Sequence, residues 1–298
     1  MKVELVGVRT SDDVELDGVF LEPTTPTQPS DSAIDAFVIV HGSGGNFYRS
    51  GLERASRLRD AGYAVAVVNT RGHDVVASHT QEAFIGNAYD VWDDCRYDLD
   101  ATIGLVAERG YSKICILGIS IGATKVVYYQ AKVHDPRVAG VIAFGPVNTS
   151  HKWFSASEDG EEHEKICRTA KELVDAGQPN ALMQVDFPNQ HAVFSAAVYL
   201  DRHGPGERYH LLPVVNDVEC PLFILAGTEE NLIRHRGFAQ AMFDEAAGNP
   251  NVVLKLVQDA THGFSGMDDE FVDSVLEWAK DLKPVGVGSQ WFNFNVSV

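Results

Sequence analysis

The chain has 298 residues, room for one large α/β domain with an insertion or for two smaller domains. At 45% hydrophobic and 22% charged it has the composition of a globular protein with ample core, and no run approaches the ~18 apolar residues of a membrane span. Its 24 basic and 42 acidic residues give a formal charge of −18, which repels phosphate backbones, argues against a nucleic-acid partner and disfavours strongly anionic substrates.

The N-terminus reaches acidic residues at once, without an apolar leader core, so no secretory signal is expected. Cys95, Cys115, Cys167 and Cys220 are scattered and form no C-x-x-C pair, the pattern of buried free thiols in a reducing cytoplasm.

In chain order, residues 3–9 and 14–21 alternate weakly about Ser11-Asp12-Asp13 and predict an antiparallel hairpin. Residues 23–31 are a polar, proline-rich loop. Residues 36–40 form the first fully apolar strand, which ends in His41-Gly42-Ser43-Gly44-Gly45-Asn46-Phe47-Tyr48. A glycine-rich loop here lets backbone N–H groups approach a ligand closely; it lacks the G-K-[ST] of a phosphate loop. Residues 52–60 read as a helix closed by Gly62, and 64–68 as the next buried strand. His73, in the turn that follows, reads as a structural histidine. Residues 88–109 carry apolar side chains at helical spacing, with their acids expected on a solvated face.

The stretch from 113 to 132 organises the rest. Ile114 to Leu117 is a short apolar strand, Gly118-Ile119-Ser120-Ile121-Gly122 a turn, and 123–132 a helix. A serine between two glycines, on a sharp strand-to-helix turn, is strained in its backbone, and a Cβ two residues to either side would meet the neighbouring strand or helix. The turn sets Ser120 at a helix N-terminus, where free N–H groups favour developing negative charge. A Gly-Ser-Gly turn without chemistry is the plain alternative; the strand before and helix after favour the catalytic one.

Residues 138–144 form another apolar strand. Residues 148–213 then turn polar and aromatic, with helices expected at 161–176 and 190–202 and no buried parallel strand, so they read as an inserted cap or lid. Trp153, Phe154, Phe187, Phe194 and Tyr199 either line a pocket there or form the cap's own small core. The sheet resumes at 221–226 and ends in Gly227-Thr228-Glu229-Glu230-Asn231. A helix at 232–247, a last strand at 252–257, the exit loop Asp259-Ala260-Thr261-His262-Gly263-Phe264 and a closing helix at 267–280 follow. The tail, 285–298, is either a free end or an added edge strand. The expected organisation is thus a core of 1–147 and 214–284, a cap of 148–213 and a tail of 285–298.

Strands alternating with helices predict a mostly parallel, doubly wound sheet, in which ligands sit at the carboxyl ends of the strands. The loops at 41–48, 118–122, 227–231 and 259–264 all fall there. Among eleven histidines, His262 stands out by its place after the final strand, with Gly263 leaving its ring room to turn toward Ser120. Glu230 is the expected acid by its spacing after Gly227, with Glu229 as the second choice; Asp259 is expected to shape its loop.

On these residues the whole chain resembles the α/β-hydrolase superfamily: His41-Gly42-Ser43-Gly44-Gly45, Gly118-Ile119-Ser120-Ile121-Gly122, Gly227-Thr228-Glu229-Glu230 and His262-Gly263. More narrowly it looks like the group related to fungal siderophore esterases, in the strings HGSGGNFY, KVVYY and SAAVYLDRHGP. Ile119 stands where that pattern often has histidine, and glutamate replaces the usual aspartate.

The resemblance implies an α/β-hydrolase fold and acyl transfer to water through a triad of Ser120, His262 and Glu230, with the N–H groups of Ser43 and Ile121 as oxyanion hole. It implies no metal or organic cofactor and a small-molecule ester-type substrate; the cysteine pattern, the charge and the lack of a long apolar run add the expectation of a cytoplasmic protein without nucleic-acid or membrane partners. Amides, thioesters or lactones suit the same triad, and a ligand-binding protein without turnover is the reading from another class. The substrate and the oligomeric state, a homodimer among the options, are not legible in the sequence.

Overall fold

The computed structural model describes residues 3–24, 32–49, 51–78, 84–187 and 191–282. The N-terminal hairpin pairs β1 (Glu4–Arg9) with β2 (Glu15–Leu21). Then come β3 (Ala36–Val40), α1 (Leu52–Asp60) and β4 (Ala64–Val68). A two-residue ladder of β5 (Ala77–Ser78) and β6 (Phe84–Ile85) precedes a 3₁₀ turn at Trp92–Asp94 that runs into α2 (Cys95–Glu108). The elbow follows as β7 (Ile114–Ile119) and α3 (Ile121–Val133), then β8 (Val138–Phe144).

Beyond β8 lie α4 (His151–Ser155), α5 (Gly160–Asp175), a hairpin of β9 (Leu182–Val185) and β10 (Ala192–Ser195), α6 (Ala196–His203) and a 3₁₀ turn at Leu212–Asp217. The chain closes with β11 (Leu222–Glu229), α7 (Phe238–Glu245), β12 (Val252–Thr261) and α8 (Asp268–Asp281).

One eight-stranded sheet runs in the order β1-β2-β4-β3-β7-β8-β11-β12. Every pairing from β4 to β12 is parallel; the N-terminal hairpin joins antiparallel at one edge. The central strands are apolar without a break because both faces are covered. Side chains alternate between two cores: Val38, Val40, Ile114 and Ile116 pack with α2, α3 and α7, while Phe37, Ile39, Cys115 and Leu117 pack with α1 and α8. The carboxyl ends of β4, β3, β7, β8, β11 and β12 therefore share one edge, and the site lies there.

Several expectations are corrected. The expected helix over 190–202 is a strand at Ala192–Ser195 followed by a helix at Ala196–His203, because 192–195 pairs with Leu182–Val185. The helix expected over 232–247 begins only at Phe238: Gly237 sits at φ 67, and the residues before it fold into turns. The helix expected over 88–109 begins at Cys95. Its acids are not all a solvated face, since Asp90 and Asp98 are 2% and 1% exposed and paired with buried cations. The last strand runs four residues past Val257, to Thr261.

Phe154, Phe187, Phe194 and Tyr199 are buried in a separate cluster with Ile166, Cys167 and Met183, and Trp153 packs against it. The tail at 285–298 and most of the proline-rich loop lie outside the described residues. No helix among the described residues is long and apolar enough to cross a membrane.

Candidate active site

Ser120 ends β7 and opens α3 with φ 57 and ψ −117, a strained conformation for a residue with a side chain. The turn is tight enough to demand its glycines. A Cβ on Gly118 would lie 2.1 Å from the Gly122 carbonyl oxygen, and one on Gly122 would lie 2.4 Å from that of Val40. The Ser120 N–H donates to the Phe144 carbonyl at 2.8 Å, which fixes the elbow to the end of β8.

The loop after β3 lies against this turn, since a Cβ on Gly42 would come 3.2 Å from Cβ of Ser120. His41 anchors it: Nε2 accepts the Thr70 N–H at 3.0 Å, and Nδ1 donates to the Gly42 carbonyl at 2.8 Å. Burial lowers the His41 pKa to about 4, so the ring is a neutral brace at neutral pH. Asn69 and Asp74 hold the far end of the loop, through the Phe47 N–H and the Asn46 amide. Among the described residues no acceptor takes the N–H of Ser43 or of Ile121, so both remain available to a ligand oxygen.

His262 and Glu230 come together from the ends of β12 and β11. Nδ1 of His262 donates to Oε2 of Glu230 at 2.9 Å; Glu230 is 8% exposed, whereas Glu229 is exposed. A register shift between Gly227 and Glu229 lets β11 pair again at Glu229–Thr261, one residue before Glu230. Gly145 lies under the imidazole, where a Cβ would meet Cε1 of His262 at 2.9 Å. Ser120 and His262 thus flank the same stretch, one bonded to Phe144 and the other over Gly145. Nε2 of His262 is buried and makes no hydrogen bond among the described residues. From α1, Arg54 secures the loop after it, donating to the Gly263 carbonyl and to Asp268, each at 2.7 Å.

A residue missed in the sequence, His235, lies flat against His262, with ring centroids 3.8 Å apart and planes 10° from parallel. Its Nδ1 is 3.4 Å from the same Glu230 oxygen. Burial, with the His262 and Arg234 charges, lowers the His235 pKa to about 4, so it is neutral at neutral pH. Burial works to raise the Glu230 carboxyl, but its contacts with His235 and His262 outweigh burial and hold it at about 2. The signal was a histidine five residues after the acid, masked by an apparently helical pattern.

Also missed was a closed polar ring behind the loop after β3. Ser43 Oγ donates to Asn87 Oδ1 at 3.1 Å, and Arg202 of α6 donates to the same oxygen at 3.0 Å. Arg202 then bonds Asp90 Oδ2 at 2.9 Å, as Lys125 of α3 does at 2.8 Å. Lys125 reaches Thr70 Oγ1 at 3.3 Å, and the Thr70 N–H returns to His41. Burial alone would raise the Asp90 carboxyl, but Lys125 and Arg202 bring it below its ordinary value. The strings HGSGGNFY, KVVYY and SAAVYLDRHGP supply His41 and Ser43, Lys125, and Arg202 respectively, so they meet in one network.

Among the described residues, two groups of donors lie close enough to share a cation: Glu230, His235 and His262 in this site, and His151, His163 and Cys167 between β8 and β11. The first set fits a triad without one, because Glu230 and His262 already satisfy each other.

A doubly wound sheet with a strained Ser120 elbow and a histidine–carboxylate pair at the same edge is an α/β-hydrolase fold, and solved structures agree. The chain is similar to the α/β hydrolase GrgF from Penicillium sp. sh18, at 14% identity over 94% of this chain and 98% of that one, with a TM-score of 0.70. It is similar also to Est1E from Butyrivibrio proteoclasticus (13% identity, 92% and 96% covered, TM-score 0.63) and to a monoacylglycerol lipase from Paleococcus ferrophilus (17%, 94% and 98%, 0.63). A family model described as a protein of unknown function, DUF1749, matches residues 61–203. No curated protein matches the chain.

Proposed function

We propose that the chain is a serine hydrolase that cleaves a carboxylic ester through an acyl-enzyme. The observation that carries the reading is the convergence of a strained Ser120, at the open end of α3, with the His262–Glu230 pair around residues 144–145.

Nε2 of His262 takes the Ser120 proton as Oγ attacks the carbonyl carbon, while Nδ1–H stays on Glu230, which balances the imidazolium charge. The N–H groups of Ser43 and Ile121 receive the oxyanion, each contributing about 3 kcal/mol of transition-state stabilisation. The alcohol leaves with the proton from Nε2. Water then attacks the acyl carbon with His262 again as base, the bond from that carbon to Ser120 Oγ breaks to release the carboxylic acid, and His262 returns the proton to Oγ. The missing hydrogen bond at Nε2 is compatible with this, because such contacts tighten only with substrate in place.

Residues 148–213 are proposed as the cap that shapes the substrate pocket. Support comes from Arg202, which touches the same Asn87 oxygen as Ser43, and from the Ser195 N–H, which donates to the Ala88 carbonyl at 2.8 Å. The likeness of three strings to the group related to fungal siderophore esterases favours an ester over an amide, and the name of the Paleococcus monoacylglycerol lipase points the same way. The test is a panel of acyl esters of graded chain length with matched thioesters and amides, a siderophore-type ester included. The expected result is kcat/KM at least about 10²-fold higher for esters than for amides. Turnover of amides alone, or of none of the panel, contradicts the ester assignment.

A further inference from the structure

We propose that His151, His163 and Cys167, with the main-chain carbonyl of His203, form a structural site for a borderline-soft divalent cation of the Zn²⁺ type. His163 and Cys167 are four residues apart on α5 and so share one helix face. His151 comes from α4, and His203 is the last residue of α6. One ion at this point would tie together three helices of the segment between β8 and β11.

The donor atoms already surround a common point. Nδ1 of His151 lies 2.9 Å from Nε2 of His163, and Sγ of Cys167 lies 3.8 Å from that same Nε2. The His203 carbonyl oxygen is 3.2 Å from Nδ1 of His151 and 4.0 Å from the sulfur. A tetrahedral ion with metal–nitrogen bonds of about 2.0–2.1 Å and a metal–sulfur bond of about 2.3 Å sets its ligands roughly 3.3 to 3.6 Å apart. The four separations bracket that range, so seating the ion takes shifts of a few tenths of an ångström.

The far nitrogens are held as metal-bound imidazoles require. Nδ1 of His163 is 3.2 Å from the Tyr199 hydroxyl, and Nε2 of His151 is 3.4 Å from the Glu164 carboxylate. Phe154 and Phe187 pack their rings on His163, which is fully buried, and keep the site dry. Two neutral imidazoles, a thiolate and a carbonyl leave a net charge of +1 with a dication, and Glu164 stands beside it. Binding converts Cys167–SH and M²⁺ into a Cys167 S–M bond and a released proton; no electron moves.

The experiment titrates chelator-stripped full-length protein with Co²⁺ under anaerobic conditions. The expected result is one equivalent bound, with a near-ultraviolet thiolate-to-cobalt band that Zn²⁺ abolishes, one proton released per ion, and a Tm raised by about 3 °C or more in excess Zn²⁺. Cys167→Ser should lose the band and weaken Zn²⁺ binding at least about 100-fold. Tyr199→Phe, which keeps all four donors and the ring, should weaken it about 10–100-fold. No thiolate band and an unchanged Tm with wild-type protein would overturn the proposal and leave a hydrogen bond from His151 to His163. A band and affinity undiminished in Cys167→Ser would overturn it too, by placing the ion elsewhere.

Discussion

Glu230 accepts from His262 at 2.9 Å and has His235 at 3.4 Å, and these two rings hold its charge against burial. Removing that charge while keeping the shape should leave the serine, the base and the oxyanion donors in place. Glu230→Gln is therefore expected to lower kcat by about 10²–10⁴-fold with the fold intact, as loss of a triad acid does. Glu229→Gln should stay near wild type, because Glu229 is exposed. Measuring kcat for both variants on one ester checks this; a large loss for Glu229→Gln with normal Glu230→Gln turnover would reverse the assignment. Ser120 was legible because the strand, two glycines and helix around it form one local pattern. His235 was not, because stacking on His262 joins two separate loops. The acid was legible only as a pair of neighbours, since the register shift after Gly227 decides which of them turns inward.

At the scale of elements, β3, β4, β8 and α1 have the bounds expected for them, for a simple reason: each is an unbroken apolar or cleanly amphipathic run closed by glycine or polar residues. The failures have physical causes as well. Residues 192–200 are apolar but for Ser195 and the Tyr199 hydroxyl, and only the pairing of Ala192–Ser195 with Leu182–Val185 divides the run into strand and helix. Residues 88–91, a turn in the structure, read as helix in the sequence because their apolar spacing continues that of α2. Asp90 in that turn is the counter-charge of both Lys125 and Arg202, which brings α3 and α6 onto the loop after β3. Asp90→Asn strands two buried cations, of which Arg202 cannot deprotonate. The expected cost is about 3–5 kcal/mol of unfolding free energy by urea denaturation, and a loss under about 1 kcal/mol would show that the network carries little stability.

At the scale of the molecule, the parallel sheet collects the ends of six strands on one edge, and every residue of the proposed chemistry comes from a loop on that edge. The fold was legible because strand–helix alternation is written into hydrophobic periodicity; the polar ring and the histidine cluster were not, because they join residues far apart in sequence. The account stands on Ser120 as nucleophile. Its most direct test is reaction of the native protein with a fluorophosphonate, followed by peptide mapping of the adduct. The account predicts one adduct per chain, on Ser120, slowed by an ester substrate and absent from Ser120→Ala; a stoichiometric adduct on another serine, with Ser120 unmodified, would contradict it.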